Sequence, residues 1–370
     1  MKRVLHIVGS MNRAGAETMI MNIYRKIDRD IYQFDFVYFI PSESDYDDEI
    51  LKLGGKIYRI YPKNGNIFFR YLEFYSLLKK LNNDCIHSHM NINNSMYLSI
   101  AYFAGIKERI SHSHSTSGRL YSKGLKKFYQ YLSIKLIKLF ATKYVACGIA
   151  AGKYLYPKVT TSNITLVPNA IDVELFVNSR KTQRNFLRKE LGVDDETIII
   201  TQIGRLYEVK NHNFTIELAR FLKERNVKTK IVIVGQGHLQ TSLMELVAQN
   251  NLLNEVVFLG LRSDIPTILA GTDLMLMPSF NEGFPVVLVE SQASGVPSLI
   301  SDTISPEVDL GLNLVEFASI SGDFTIWEEK ILKLTNQKEV KPDTILNVLN
   351  EKGFGILGSV KKIEKIYAKK

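Results

Sequence analysis

The feature that most constrains this chain is a rhythm. Short runs of β-branched and aromatic residues recur along it, each followed by apolar residues at helical spacing. In the first half the runs are RVLHIV, FDFVYFI, KIYRIY, DCIHSH and KYVACG; in the second they are TIIITQIG, KIVIVGQG, EVVFLG, DLMLMP and PSLISD. Runs that stay apolar read as strands covered on both faces, and strands alternating with helices build parallel sheets. Two such sets in 370 residues predict an α/β chain of two doubly wound domains. Pro, Asn and Asp interrupt the pattern in LVPNAIDVELF, and a second break falls at NEKGFGI. The predicted domains are therefore 1–168 and 169–353, with a tail helix over about 354–370.

Composition narrows the class. The chain is 45% hydrophobic and 23% charged, the profile of a folded globular protein. Two cysteines, Cys85 and Cys147, supply neither a disulfide framework nor metal-ligand spacing, so a reducing cytoplasm is the expected setting. The opening MKRVLHIVGSMNRAG has too short an apolar run for a signal segment. No stretch approaches the ~18–20 apolar residues that span a bilayer. The net charge is +9, and its location matters more than its size. Between Glu108 and Asp172 there is no acidic residue, whereas Arg109, Arg119, Lys123, Lys126, Lys127, Lys135, Lys138, Lys143, Lys153 and Lys158 all fall there. Such a block points to an anionic surface or ligand. Within it, KGLKKFYQYLSIKLIKLF places apolar residues at helical spacing beside lysines, as in interfacial helices and equally in a helix packed with a solvated edge.

In doubly wound sheets ligands bind beyond the carboxyl ends of strands, and with two such domains the expected site is the cleft they face. Three segments after strands carry suitable chemistry. IGRLYEVKNH sets Arg205 and Lys210 five apart across a turn, a cationic pair for a diphosphate. VGQGH offers a Gly-x-Gly, which also serves ordinary turns. SFNEGFPVVLVESQASGVPSLISD is the most informative. Pro285 suits a helix start and Gly295 a helix end. The helix between is apolar yet carries Glu290, a carboxylate that is costly there unless hydroxyls or a cation satisfy it. Its start presents free N–H groups to an anion.

Taken together, GRLYEVKNH, VGQG and PSFNEGFPVVLVESQASGVPSLISD resemble the donor half of the retaining GT-B glycosyltransferases of family 4, with Glu282 and Glu290 matching the family's E-x7-E spacing. RAGAETMIMNIYRKID, HSHMNINNS, ERISHSHSTSG and VPNAIDVELF resemble its acceptor half, and the likeness is strongest to bacterial capsule and exopolysaccharide enzymes. The resemblance implies a GT-B fold, two Rossmann-like domains facing a cleft, and transfer from a nucleotide-diphosphate sugar, in the first instance a UDP-sugar, to a lipid-linked or oligosaccharide hydroxyl with retention. It implies that Arg205 and Lys210 bind the diphosphate and that Glu290 holds the ribose. Glu282 and His114 would meet the transferred sugar. Gly15, Ala16, Gly204, Gly235, Gly283, Phe284, Pro285 and Val286 would line the donor site. After Asp302 the segment TISPEVDLGLNLVEFAS keeps Glu307 but lacks a glycine-rich form common in the family.

No cofactor and no metal are expected. The Asp-x-Asp matches DRD (Asp28–Asp30) and DYD (Asp45–Asp47) read as surface loops, and His87, His89, His112 and His114 stem from separate strand ends without a completing carboxylate. His6 and His238 read as hydrogen-bonded filler. Expected partners are the nucleotide sugar, a lipid-linked saccharide and an anionic inner-membrane surface, with peripheral association. The competing readings are another GT-B nucleotide-sugar enzyme, such as an epimerase or a sugar synthase, and a nucleic-acid-binding module. No nucleic-acid motif supports the last, and GSMNRAGAE after the first strand lacks the dinucleotide fingerprint of a dehydrogenase.

Overall fold

The computed structural model describes residues 1–62, 65–81, 83–114 and 124–368. The chain divides into two compact units, Met1–Ile171 with Gly353–Lys370, and Asp172–Lys352. Each is a parallel α/β sheet.

In unit 1 the strands are β1 (Lys2–Ile7), β2 (Tyr32–Tyr38), β3 (Ile57–Arg59), β4 (Cys85–Ser88), β5 (Glu108–Ser113), β6 (Lys143–Ala146) and β7 (Ile164–Leu166). Their order is β3-β2-β1-β4-β5-β6-β7, every pairing parallel. The chain winds outward from β1 through β2 and β3, then returns to the other side of β1 with β4. That reversal is the switch point where ligands bind such sheets. Alternation sorts the side chains. Val4, Phe34, Phe36 and Cys85 face a core closed by Met19, Ile20 and Ile23 of the helix Gly15–Lys26 and by Ile363 and Tyr367 of the tail helix Ile356–Tyr367. Leu5, Ile7, Val37 and Ile86 face the opposite core, under the helices Ile67–Leu81 and Asn94–Phe103. Burying each such aliphatic side chain contributes about 1.5–3 kcal/mol.

Unit 2 repeats the plan with β8 (Ile198–Ile203), β9 (Thr229–Val234), β10 (Val256–Gly260), β11 (Leu274–Met277), β12 (Ser298–Ser301) and β13 (Val315–Ala318) in the order β10-β9-β8-β11-β12-β13, again parallel. Its switch point lies between β8 and β11. Trp327, fully buried, anchors the helix Phe324–Thr335 onto the sheet beside Phe214.

The α/β reading of the sequence holds, and three strands escaped it. β7 and β13 are short edge strands of three and four residues. β5 (ERISHS) lacks an apolar run because one of its faces carries His112. The DYD segment departs from the surface-loop reading. Asp47 starts the helix Asp47–Lys52, is buried, and pairs with Arg59.

Candidate functional site

The unit 2 switch point gathers the residues singled out after its strands. Lys210, in the loop after β8, donates to Glu282, in the loop after β11, at 2.5 Å, and both side chains are largely buried. The lysine loop is fixed from beneath. Gln202 at the end of β8 donates to the Lys210 carbonyl at 2.8 Å and accepts from the Thr215 hydroxyl at 2.6 Å. Asn211, at a left-handed φ of 54° that Asn tolerates better than most residues, donates to the Pro278 carbonyl at 3.0 Å and ties the two loops together. Gln202, Thr215 and Asn211 were not read as site residues. The signal was the polar pair Thr201–Gln202 near the end of a strand that begins with three isoleucines.

Arg205 is exposed, its guanidinium 4.9 Å from the centre of the Tyr207 ring. Gly204 leaves room for the Lys210 stem, since a Cβ there would lie 3.2 Å from the lysine Cε. Gly235 sits at φ +141°, and a Cβ on it would meet the Gly204 carbonyl oxygen at 2.0 Å. Both amides are committed: Gly204 N–H donates to the Val234 carbonyl and Gly235 N–H to the Gly260 carbonyl. These glycines therefore offer a ligand close backbone approach and no hydrogen-bond donor, and Gly235 is glycine because two backbones abut.

Pro285 caps the helix Val286–Ala293 at a β-region conformation, one position earlier than a first-turn proline, and Gly295 follows the helix at φ +65°. The first amides of that helix lack helical acceptors, and with the dipole they form an anion site. Gly283 has open space where a side chain would be, and Phe284 is half-buried. Glu290, on the second turn, has no hydrogen-bonding or ionic partner among the described residues, and loss of water around its carboxyl raises its pKa to about 7. His212 is also buried with both ring nitrogens unpartnered, its pKa lowered to about 4 by desolvation and then by Lys210.

The unit 1 switch point is built differently. Gly15 and Ala16 open the helix Gly15–Lys26, and the Arg13 amide before them donates to Asp45 at 2.9 Å. Beside them stand five of the chain's seven histidines. His6 on β1, His87 and His89 on and after β4, and His112 and His114 on and after β5 share one sheet face. His6 Nδ1 meets His89 Nε2 at 3.0 Å, and His89 Nδ1 meets His114 Nε2 at 2.7 Å. A second row stacks on the first, with His87 Nε2 meeting His112 Nδ1 at 3.1 Å and His87 Nδ1 meeting the Tyr367 hydroxyl at 2.6 Å. Every one of these imidazoles is held below its ordinary pKa, His6 and His114 to about 3, chiefly by desolvation. His6, read from the sequence as filler, is thus part of the network.

His6, His87 and His89, and likewise His89, His112 and His114, bring one nitrogen each within 4.8 Å of the others, the only such triads of metal-ligating groups among the described residues. Two of the hydrogen-bonded pairs have near-parallel rings, 8° for His6 and His89 and 12° for His87 and His112, and His89 and His114 are tilted by 32°. Each nitrogen in these pairs is taken up by its neighbour's ring. A cavity of about 10 Å³ adjoins His6, His87, His89 and Tyr367, room for one water at most.

A third surface lies on unit 1. The helix Leu125–Phe140 is inverted: Gln130, Ser133 and Ile137 face inward, while Leu125, Phe128, Leu132 and Leu139 are exposed. The helix Ile67–Leu81 likewise exposes Phe68, Phe69 and Leu72, and Tyr102 and Phe103 stand exposed against Phe140. Lys127, Lys135, Lys138, Lys153 and Lys158 are exposed on the same unit, whereas Arg119 and Lys123 lie outside the described residues. No described helix is long and apolar enough to cross a membrane.

Two doubly wound α/β units, the second with a cation, paired carboxylates and an open helix start at its switch point, define the GT-B class of glycosyltransferase. Comparison with known proteins carries this further. Residues 13–175 match the model of Glycosyltransferase Family 4 and residues 183–341 that of Glycosyl transferases group 1. The chain is 36% identical to the EpsF protein of Bacillus subtilis (strain 168), which carries the name of a glycosyltransferase, over 99% of this chain and 96% of that one. It is 27% identical to the UDP-Gal:alpha-D-GlcNAc-diphosphoundecaprenol alpha-1,3-galactosyltransferase of Escherichia coli over 80% and 78%. It is 25% identical to the capsular polysaccharide biosynthesis glycosyltransferase CapH of Staphylococcus aureus over 79% of each. In fold it is similar to HepE of Anabaena, solved with UDP and glucose, with a TM-score of 0.77 over 99% of both chains at 17% identity. The chain belongs to the family 4 glycosyltransferases and is a glycosyltransferase enzyme.

Proposed function

We propose that this enzyme moves a hexosyl group from a nucleotide-diphosphate sugar, a UDP-sugar first among them, to a hydroxyl of a lipid-linked or oligosaccharide acceptor in capsule or exopolysaccharide assembly, with retention and without a metal. The observation that carries the reading is the unit 2 switch point. There a largely buried Lys210, an open helix start at Val286 and a partnerless Glu290 stand on one pair of loops. The hard step is departure of the diphosphate, which takes both electrons of the bond to the sugar. Lys210, Arg205 and the helix dipole meet the charge that develops. Glu290 accepts from ribose hydroxyls, and Glu282 and His114 contact the sugar. Gly15 and Ala16 approach the phosphate with their amides.

Support for a diphosphate-lipid acceptor comes from the named activity of the E. coli relative. The exposed apolar stripe of the helix Leu125–Phe140, flanked by lysines, fits an anionic bilayer surface. The test is a panel of nucleotide sugars scored by thermal shift and slow hydrolysis, with Glu290→Ala weakening binding about tenfold or more, in line with ~1–3 kcal/mol for lost charged hydrogen bonds. Unaltered binding and turnover in that variant overturns the site. Flotation with acidic against neutral liposomes tests the membrane surface, and equal or absent binding removes it.

A further inference from the structure

The two rows of histidines meet at one atom. The Tyr367 hydroxyl, 2.6 Å from His87 Nδ1, also lies 3.5 Å from His6 Nε2. The groups therefore form a single chain, folded on itself: His114, His89, His6, Tyr367, His87, His112. Its two ends, His114 Nδ1 and His112 Nε2, are buried and without a partner. Desolvation keeps all five imidazoles neutral. Five neutral imidazoles and one phenol hold six N–H or O–H protons. The chain has five links, each needing one proton, so one proton is left over. Were it the Tyr367 O–H, with the phenol oxygen accepting from both neighbours, a hydroxyl on a fully buried residue would have no acceptor. With the sixth proton at a chain end, two arrangements satisfy every link. In one, His112 Nε2 carries the sixth proton and His114 Nδ1 is bare. In the other, His114 Nδ1 carries it and His112 Nε2 is bare.

Burial chooses between them. His112 is fully buried, whereas His114 has part of its ring at the surface although its Nδ1 is itself covered. An unpaired N–H is the rarer and costlier orphan, so it belongs on the ring that stands nearer the surface. We propose that His6, His87, His89, His112 and Tyr367 act as positioning residues that lock His114 as its Nδ1–H form, a hydrogen-bond donor toward substrate. The functional half of this inference rests on the reading of His114 as a substrate-facing residue. The tautomer of one ring is fixed by the bond its other nitrogen makes, and here that dependence runs through five further groups to a residue on the tail helix.

The test is imidazole 15N NMR on the full chain, reporting which nitrogen of each histidine is protonated. The wild type should show His114 protonated at Nδ1, and His89 and His6 likewise; an Nε2–H His114 overturns the proposal without any variant. Tyr367→Phe keeps the ring and cuts the chain in the middle, so His6, His89 and His114 should move toward the Nε2–H form that free imidazole prefers. His87→Leu cuts it beyond Tyr367, which can still donate to His6, so His114 should not move. A shift in both variants, or in neither, refutes the chain. For transfer, Tyr367→Phe should lower kcat roughly tenfold with KM little changed. Should the NMR results hold while His114→Ala transfers sugar normally, the chain stands and the role of His114 falls.

Discussion

The two switch points of this enzyme have the same topology and opposite electrostatics. Between β1 and β4, unit 1 sets neutral imidazoles against one another in a dry core, with Met19, Ile20, Ile23, Phe34 and Ile363 as their neighbours and no charged side chain among them. Between β8 and β11, unit 2 sets Lys210 against Glu282 and leaves Glu290 without a partner. The difference shows that a shared fold fixes where a site lies and leaves its chemistry to a handful of residues. It also gives the two sites opposite responses to pH, which is where the comparison can be broken.

The largest effect belongs to the histidines. Their folded pKa values are lowered, so below about pH 6.5 the unfolded chain binds protons that the folded unit refuses. Stability is full above that pH and falls as pH drops toward the folded values. Each histidine contributes ~1.4 kcal/mol per pH unit in this window, so five of them together remove up to ~7 kcal/mol between pH 7.5 and 5.5. Hydrogen exchange of β1, β4 and β5 amides should accelerate over that interval far more than exchange in β8 and β11, where only His212 responds with the same sign. Equal acceleration in both sheets removes the contrast.

Glu290 works in the other direction. Its folded pKa, raised to about 7, lies above the usual carboxyl value, so the unfolded chain loses the proton first. The cost is absent below about pH 4.5, grows as pH rises, and is complete above pH 7, at ~3 kcal/mol for a shift of this size. Glu290→Gln should therefore stabilise the free enzyme at pH 8 by up to that amount and leave it unchanged at pH 4.5. The same variant should bind nucleotide sugar more weakly. For the wild type, affinity should rise about tenfold per unit up to pH 7 and then level, since in the proposed function Glu290 accepts from ribose hydroxyls as the carboxylate. Calorimetry in buffers of different ionisation heat should show proton release on binding. A Glu290→Gln enzyme no more stable than wild type at pH 8 means that the carboxyl is solvated.

What the sequence could show of this contrast follows from the range of the forces involved. Strands that alternate with helices leave a local, periodic trace, and ten of the thirteen were legible. In β5 the histidines interrupt the apolar run. Being short and at an edge does not by itself account for β7 and β13, since β3, an edge strand of three residues, was legible. Candidate residues that follow strand ends, such as Lys210 and Glu290, were visible because polar groups stand out in apolar surroundings. The histidine chain was not. Its members come from three strands and the tail helix; sheet order joins His6 to His87 and His89, and packing of the tail helix joins it to Tyr367, neither of which a local pattern encodes. Gln202 and Asn211 were missed for the same reason: their work is to hold a loop through contacts made far along the chain.

The smallest effect is the most diagnostic of unit 2. In the free enzyme Glu282 occupies the Lys210 ammonium, so under the proposed function a diphosphate would have to displace a carboxylate to reach it. Removing one partner of a largely buried pair outright costs ~3–5 kcal/mol. Gln keeps an oxygen that can accept from the ammonium, so Glu282→Gln should lose less than that. Freed of its partner, Lys210 should hold a nucleoside diphosphate a few-fold more tightly, while transfer slows because the sugar loses its acidic contact. Opposite changes in affinity and turnover follow only if one lysine serves first the glutamate and then the phosphate. Were Glu282→Gln to bind nucleoside diphosphate more weakly, the carboxylate would be holding Lys210 in place for its ligand, and the pair would be a brace instead of a latch.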